Sequence, residues 1–150
     1  MNSKGITLIE LLITVAIVGL LAMIAIPGYL GQQKRAARTE AYTNLENLRL
    51  LEEQFYAENG RYTVSLGTCA KDNPGNITQI QQGGAALDPA NDLPGFRPGP
   101  NTMYSYCIEQ DETMDGTGLS GCFAARAFGN TGTRVDLDQF DVDCRNNRNF

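Results

Sequence analysis

Residues 5–31 read GITLIELLITVAIVGLLAMIAIPGYLG, and this stretch decides how the rest of the chain is organised. No charged residue occurs from Leu11 to Gln33, and Leu11–Ile26 is apolar except for Thr14 and Gly19. At a rise of ~1.5 Å per residue, a helix from Ile6 to Ile26 covers ~30 Å, the hydrocarbon thickness of a bilayer. A secretory signal would pair a basic start with a shorter apolar core and a small-residue cleavage site beyond it. Here the basic start is Met1-Asn2-Ser3-Lys4, and Ala22-Met23-Ile24-Ala25 lacks the Ala-x-Ala spacing. A retained span is therefore expected. Lys4 places its start on the cytoplasmic side, an asymmetry that Lys34, Arg35 and Arg38 weaken.

Composition narrows the chemistry further. The 150 residues contain no histidine and no tryptophan, four cysteines and a formal net charge of -5. Without histidine there can be no Ser-His-Asp or Cys-His nucleophile, no HExxH zinc site and no CxxCH haem attachment. The acidic balance argues against a nucleic-acid binder, because neutralising a phosphate backbone needs clustered Lys and Arg. No GxxxxGK[ST] phosphate loop is present, and no paired carboxylates stand in a recognisable catalytic arrangement. A non-enzymatic protein without a cofactor is expected.

Glu10 interrupts the apolar stretch near its start. A carboxylate at the centre of a membrane helix costs ~2.5–3.5 kcal/mol, less near an end, and marks a functional position. Two readings compete: a first-turn glutamate that complements the helix dipole and snorkels to the interface, or a residue that meets a partner.

The segment Lys4-Gly5-Ile6-Thr7-Leu8-Ile9-Glu10-Leu11 resembles the class III signal of type IV pilins and pseudopilins, a short basic leader ending in glycine ahead of a long apolar helix. Pro27 stands where this family carries its helix-bending proline, and Ile6 departs from the usual Phe. The resemblance implies that residues 1–5 are a leader. An inner-membrane prepilin peptidase would cut it between Gly5 and Ile6, and the new Ile6 amine would be N-methylated. A residue without a side chain at Gly5 lets a protease approach the backbone closely. It further implies that Glu10, with Thr7 and Pro27, serves assembly, Glu10 meeting the N-terminal amine of an adjacent subunit. Two opposite charges in a low-dielectric bundle are costly apart and tolerable together, so an axial slip is penalised.

Past the span, Ala37, Ala41, Leu45, Leu48, Leu51 and Phe55 recur at helical spacing, with Arg38, Glu40, Glu46, Arg49, Glu52 and Glu53 on the polar face. Pro27, Gly28 and Gly31 permit either a bent continuous helix or a plain break between anchor and soluble part. Asn59-Gly60 is a left-handed C-terminal cap, and EQFYAENGRYT at 53–63 is again similar to the helix end of type IV pilins. Residues 64–101 lose periodicity and carry five prolines, which predicts a long surface connection. Within it Asn76-Ile77-Thr78 matches the short N-x-[ST] glycosylation pattern. Strands are predicted over 102–109, 121–128, 133–137 and 139–144, an antiparallel meander of three or four.

The expected architecture is α+β and pilin-like, one long, kinked N-terminal helix packed against a small antiparallel sheet. Its parts are a leader at 1–5, a membrane and assembly helix at 6–31, and a globular head at 32–150. Cys69, Cys107, Cys122 and Cys144 lie beyond the span without a CxxC pair, which favours two disulfides in an oxidising compartment. The spacing leaves all three pairings open. The preferred one joins Cys69 to Cys107 and Cys122 to Cys144, the second stapling the C-terminal region as in many pilins.

No metal is expected. Asp136, Asp138, Asp141 and Asp143 are the calcium candidates, since some pseudopilins bind calcium near the C-terminal sheet, while acidic alternation equally describes a solvated face.

The family implies a structural subunit of a type IV pilus, with adhesion and motility among its roles. It would reside in the inner membrane and then in an extracellular filament. Its partners would be further copies, other pilins, the peptidase and the inner-membrane assembly platform, with no specific nucleic acid. The alternative is a pseudopilin of a type II secretion system, confined to the periplasm.

Overall fold

Helix α1 runs from Leu8 to Asn59, 52 residues, in the computed structural model, which describes residues 5–150. The leader residues Met1 to Lys4 lie outside the described residues. The chain divides into two compact units, Met1–Ala36 and Ala37–Phe150. α1 contains Pro27 and continues through Gly28 and Gly31, so the plain break entertained above does not occur. Proline has no N–H to offer the Met23 carbonyl, yet the ladder resumes on both sides.

In the first unit the helix exposes its apolar side chains in every direction: Leu8, Leu12, Val15, Val18, Leu21 and Ile24 are all open. Nothing within this unit covers them, and an all-round apolar helix belongs in lipid or in a helix bundle. Among the described residues, α1 is the one helix long and apolar enough to cross a membrane.

In the second unit α1 buries Ala37, Ala41, Leu45, Leu48, Glu52 and Phe55. This corrects the stripe drawn from sequence at one place, where Glu52 takes the core-facing position and Leu51 is only half-buried. The reason is angular: 52 lies four residues after Leu48 and seven after Leu45, on the same face. The helix ends where Gly60 turns to φ 70° and donates its N–H to the Tyr56 carbonyl at 2.8 Å. Asn59 caps the Phe55 carbonyl from its side chain at 3.0 Å.

Residues 64–101 are more than a surface connection. They form helix α2, Asn76–Gln82, and a 3-10 turn, Pro89–Asn91. They also send Leu66, Ile80, Leu93 and Phe96 into the core. The seven residues of α2 are too few for periodicity to reveal. They are fixed instead by tertiary bonds, from Leu93 N–H to the Ile80 carbonyl at 2.9 Å and from the Gln81 amide to the Phe96 carbonyl at 2.7 Å.

Three antiparallel strands follow in the order β1 (Tyr104–Glu112), β2 (Gly118–Gly129) and β3 (Gln139–Asp143). The register pairs Tyr106 with Ala127, Ile108 with Ala125, and Ala125 with Val142. It slips at Asp111, which adopts φ 56° in a bulge. The strand expected at 133–137 is absent: these residues form turns that bury Val135 and return the chain from β2 to β3. Asn130-Thr131-Gly132-Thr133 supplies turn chemistry, with Gly132 at φ 72°, and this outweighs the β-branched residues beside it.

The sheet and the second half of α1 share one core, in which Leu45 and Leu48 meet Tyr104, Tyr106, Ile108, Phe123 and Val142. Two contacts pin the helix to the sheet. The Asn44 amide donates to the Tyr106 hydroxyl at 2.8 Å, and Tyr42 stacks on Phe150 with its edge against Phe140.

Candidate functional site

The N-terminal residues singled out above meet in one turn. Thr7 precedes the first helical residue, and its backbone N–H and hydroxyl both donate to the Glu10 Oε2 at 2.9 Å. In return the Glu10 N–H donates to the Thr7 hydroxyl oxygen at 3.3 Å. This is a reciprocal capping box, Thr at the cap and Glu three residues on, and it satisfies two backbone donors that a helix start leaves without partners. Its signal, T-x-x-E ahead of an apolar run, is present in the sequence and was overlooked there.

Glu10 shares a shallow apolar recess with Ile6, Leu11, Ile13 and Thr14. Its carboxylate is open to an incoming group on the side away from Thr7. Ile6 is 81% exposed, and a side chain at Gly5 would meet only open space. Pro27 lies seventeen residues beyond Glu10 on the same helix and is not brought to it.

In the second unit Cys69 is bonded to Cys107, with Cα atoms 5.2 Å apart, and Cys122 to Cys144, at 5.3 Å. The first ties the 64–101 segment to β1 beside the bridge between Leu66 and Ile108. The second ties β2 to the residue that follows β3.

The four aspartates do not converge. Asp138 receives two bonds from the Arg38 guanidinium, at 2.8 and 2.6 Å, and one from the Tyr104 hydroxyl at 3.1 Å. Asp136 pairs with Lys71 at 2.6 Å, which holds its carboxyl below the usual range. Asp141 is buried, which pushes its carboxyl up against bonds from Gln139 and Asn149. Burial also acts on Asp143, but backbone donors from Arg145 and Asn147 and the Asn147 side chain outweigh it and lower its value. Each carboxylate thus binds the protein's own donors. Among the described residues no group of three or more acidic, Cys or His side chains is placed to hold a metal. Asn76 is only 2% exposed, and its amide bonds the Thr68 N–H and carbonyl, so the glycosylation pattern falls on a buried side chain.

Glu52 is the residue that its polarity misplaced. Fully buried on α1, its Oε2 accepts the Thr63 N–H at 3.1 Å, and its other oxygen bonds the Thr63 hydroxyl. Burial pushes its carboxyl up to about 7 despite these bonds.

Residues 1–26 match the prokaryotic N-terminal methylation motif. The chain is 48% identical over 62 residues to the type IV major pilin protein PilA of Myxococcus xanthus, covering 41% of this chain and 28% of that protein. It is 40% identical over 83 residues to the type IV wide pilus major component of Thermus thermophilus, covering 51% and 62%. To a type IV major pilin protein of Neisseria gonorrhoeae it is 41% identical over 59 residues, covering 39% and 36%. The chain thus spans less than two thirds of the length of each of these relatives. No solved structure matches it significantly. The motif and the pilin relatives agree with one another, and the α+β head behind a glutamate-bearing apolar helix accords with both: the chain is similar to type IV pilins over 39–51% of its length in these comparisons.

Proposed function

We propose that this chain is the structural subunit of a type IV pilus filament, held in the inner membrane by the first half of α1 before assembly and carried in an extracellular filament afterwards. The observation that carries this reading is the unpartnered apolar helix with Glu10 in its first turn, coupled to the methylation motif. Prepilin peptidase removes residues 1–5 by cutting between Gly5 and Ile6, and the Ile6 amine is then N-methylated. The domains in use are the leader at 1–5, the assembly helix at 6–31 and the head at 32–150.

Cleavage changes the local electrostatics. Lys4 departs, and a cationic amine appears at Ile6, four residues before Glu10. In a bundle of apolar helices that amine on one subunit meets Glu10 on a neighbour. The pair repays desolvation only when the two helices are in axial register. The capping box supports this role because it fixes the Glu10 carboxylate at the helix start while leaving lone pairs for a second donor. The platform that inserts subunits, other pilins and the motor ATPases are separate proteins, and adhesion and motility are roles open to the filament. The two disulfides suit a head that works outside the reducing cytoplasm.

Shearing of surface filaments followed by electron microscopy and mass spectrometry tests the proposal. Filaments rich in peptides beginning at N-methylated Ile6 are expected. Cells that secrete poorly on loss of the gene yet never bear filaments of this chain would instead favour the pseudopilin.

A further inference from the structure

Two features of the Ala37–Phe150 unit have no role in the account above. One is a groove of about 400 Å³ at the C-terminal end of α1, floored by Leu51, Phe55 and Leu93 and walled by Pro89 and Pro94. The charged residues that line it are the carboxylates Glu58 and Asp92, and the Arg61 guanidinium lies at its edge, 5.3 Å from the Phe55 ring and bonded to the Ala90 carbonyl and the Asn91 side chain. The other is the turn between β2 and β3. It raises Leu137, which at 92% exposure is the most open large apolar side chain of the unit. Arg134 stands exposed in the same turn and makes no ion pair among the described residues.

The turn is a fixed platform. Val135 is buried beneath it, the Gly129 N–H bonds the Asp138 carbonyl at 2.9 Å, and Lys71 neutralises Asp136. The knob and the groove lie far apart on the same unit. Asp138, next to Leu137, is clamped by Arg38 near the start of this unit's helical half, whereas the groove is built on residues 51–59. Seventeen residues of helix, from 38 to 55, separate them by ~25 Å along α1.

We propose that Leu137 of one copy seats in the groove of the next, with Arg134 against Glu58 and Asp92. The knob joins an apolar tip to a cation, and the groove joins an apolar floor to two carboxylates, while Arg61 at its edge is taken up by the Asn91 side chain and the Ala90 carbonyl. Both halves are carried by one chain, which makes a second copy the partner. That choice of partner rests on the filament reading above. Because the two patches differ and lie at opposite ends, the contact is heterologous and repeats head to tail without closing on itself. One leucine and one arginine make a small interface, so the contact orients heads whose association is driven by the apolar helices.

The test places a photo-crosslinking amino acid at position 137 of the full chain in intact cells and maps the crosslinked peptides. A dimer joined to residues 51–59 or 89–95 of another copy is expected. Capture at another surface of the copy, capture of a different protein, or no crosslink overturns the contact. Microscopy of the unmodified cells reports separately on the filament reading: filaments without this crosslink leave that reading intact and remove the contact. As a second arm, Arg134→Glu lowers the yield of sheared filaments about tenfold, since like charges are then brought together. Combining it with Glu58→Lys and Asp92→Lys restores the yield. A single variant with normal yield, or a combined variant that fails to recover while its head folds normally, contradicts the pairing.

Discussion

Glu52→Gln isolates the one fully buried carboxylate on the core face of α1. Burial raises the acid from its ordinary 4.5 to about 7. Between those two pH values the folded head therefore holds a proton that the unfolded chain has released. Stability falls as pH rises wherever the native state binds the extra proton. The contribution of Glu52 is thus most favourable below about pH 4.5, declines through the interval and is flat above about 7. Each tenfold difference in proton affinity is worth about 1.4 kcal/mol, so the full decline is ~3 kcal/mol. Glutamine keeps both bonds to Thr63, its carbonyl accepting the N–H and its amide donating to the hydroxyl, while carrying no charge. The variant should match the parent near pH 4.5 and exceed it by ~3 kcal/mol at pH 8. Urea unfolding of the full chain in detergent, followed by the near-ultraviolet circular dichroism of the buried tyrosines, measures this at each pH. A difference between variant and parent that stays constant from pH 5 to 8 would refute the argument.

Three further outcomes follow from the structure. Glu10→Leu should leave the chain inserted and trimmed to Ile6 but sharply reduce its share in sheared filaments, as read by immunoblot of cell and filament fractions. Replacing both Cys122 and Cys144 by Ser, across a separation of 22 residues, should cost ~3 kcal/mol of head stability by denaturant titration. The Cys69 and Cys107 pair, separated by 38, should cost slightly more in the loop-entropy picture. Asp138→Asn weakens the clamp between Arg38 and the β2–β3 turn. Since Arg38 is partly solvated, the cost is only about 1–2 kcal/mol, visible as a lower urea midpoint without loss of secondary structure.

Much of the fold was legible because its strongest signals are periodic. The apolar run of 11–26 and the stripe from Ala37 to Phe55 define α1 without tertiary information, and Asn59-Gly60 marks its end. Elements fixed by contacts remained hidden. α2 is a short helix of about two turns held by Leu93 and Phe96, and 133–137 has strand-like residues overruled by the turn around Gly132. Glu52 was read as solvated because polarity was trusted over helical angle; its partner Thr63 is eleven residues away and invisible to local pattern. At the N-terminus the motif named the residues, Gly5, Ile6, Thr7 and Glu10, yet the capping box joining two of them is a local rule that resemblance eclipsed. Aspartates at 136–143 looked like one cluster, but Lys71, Arg38 and the C-terminal amides draw them apart.

The central claim is that Glu10 and the amine created at Ile6 hold neighbouring subunits in register. Sheared filaments from cells expressing both the parent chain and Glu10→Gln, quantified by mass spectrometry of the peptide that begins at Ile6, test it most directly. The account predicts that both chains are trimmed and methylated equally in the membrane fraction while the variant is strongly depleted from filaments. Equal representation of the two chains in the filaments would contradict it.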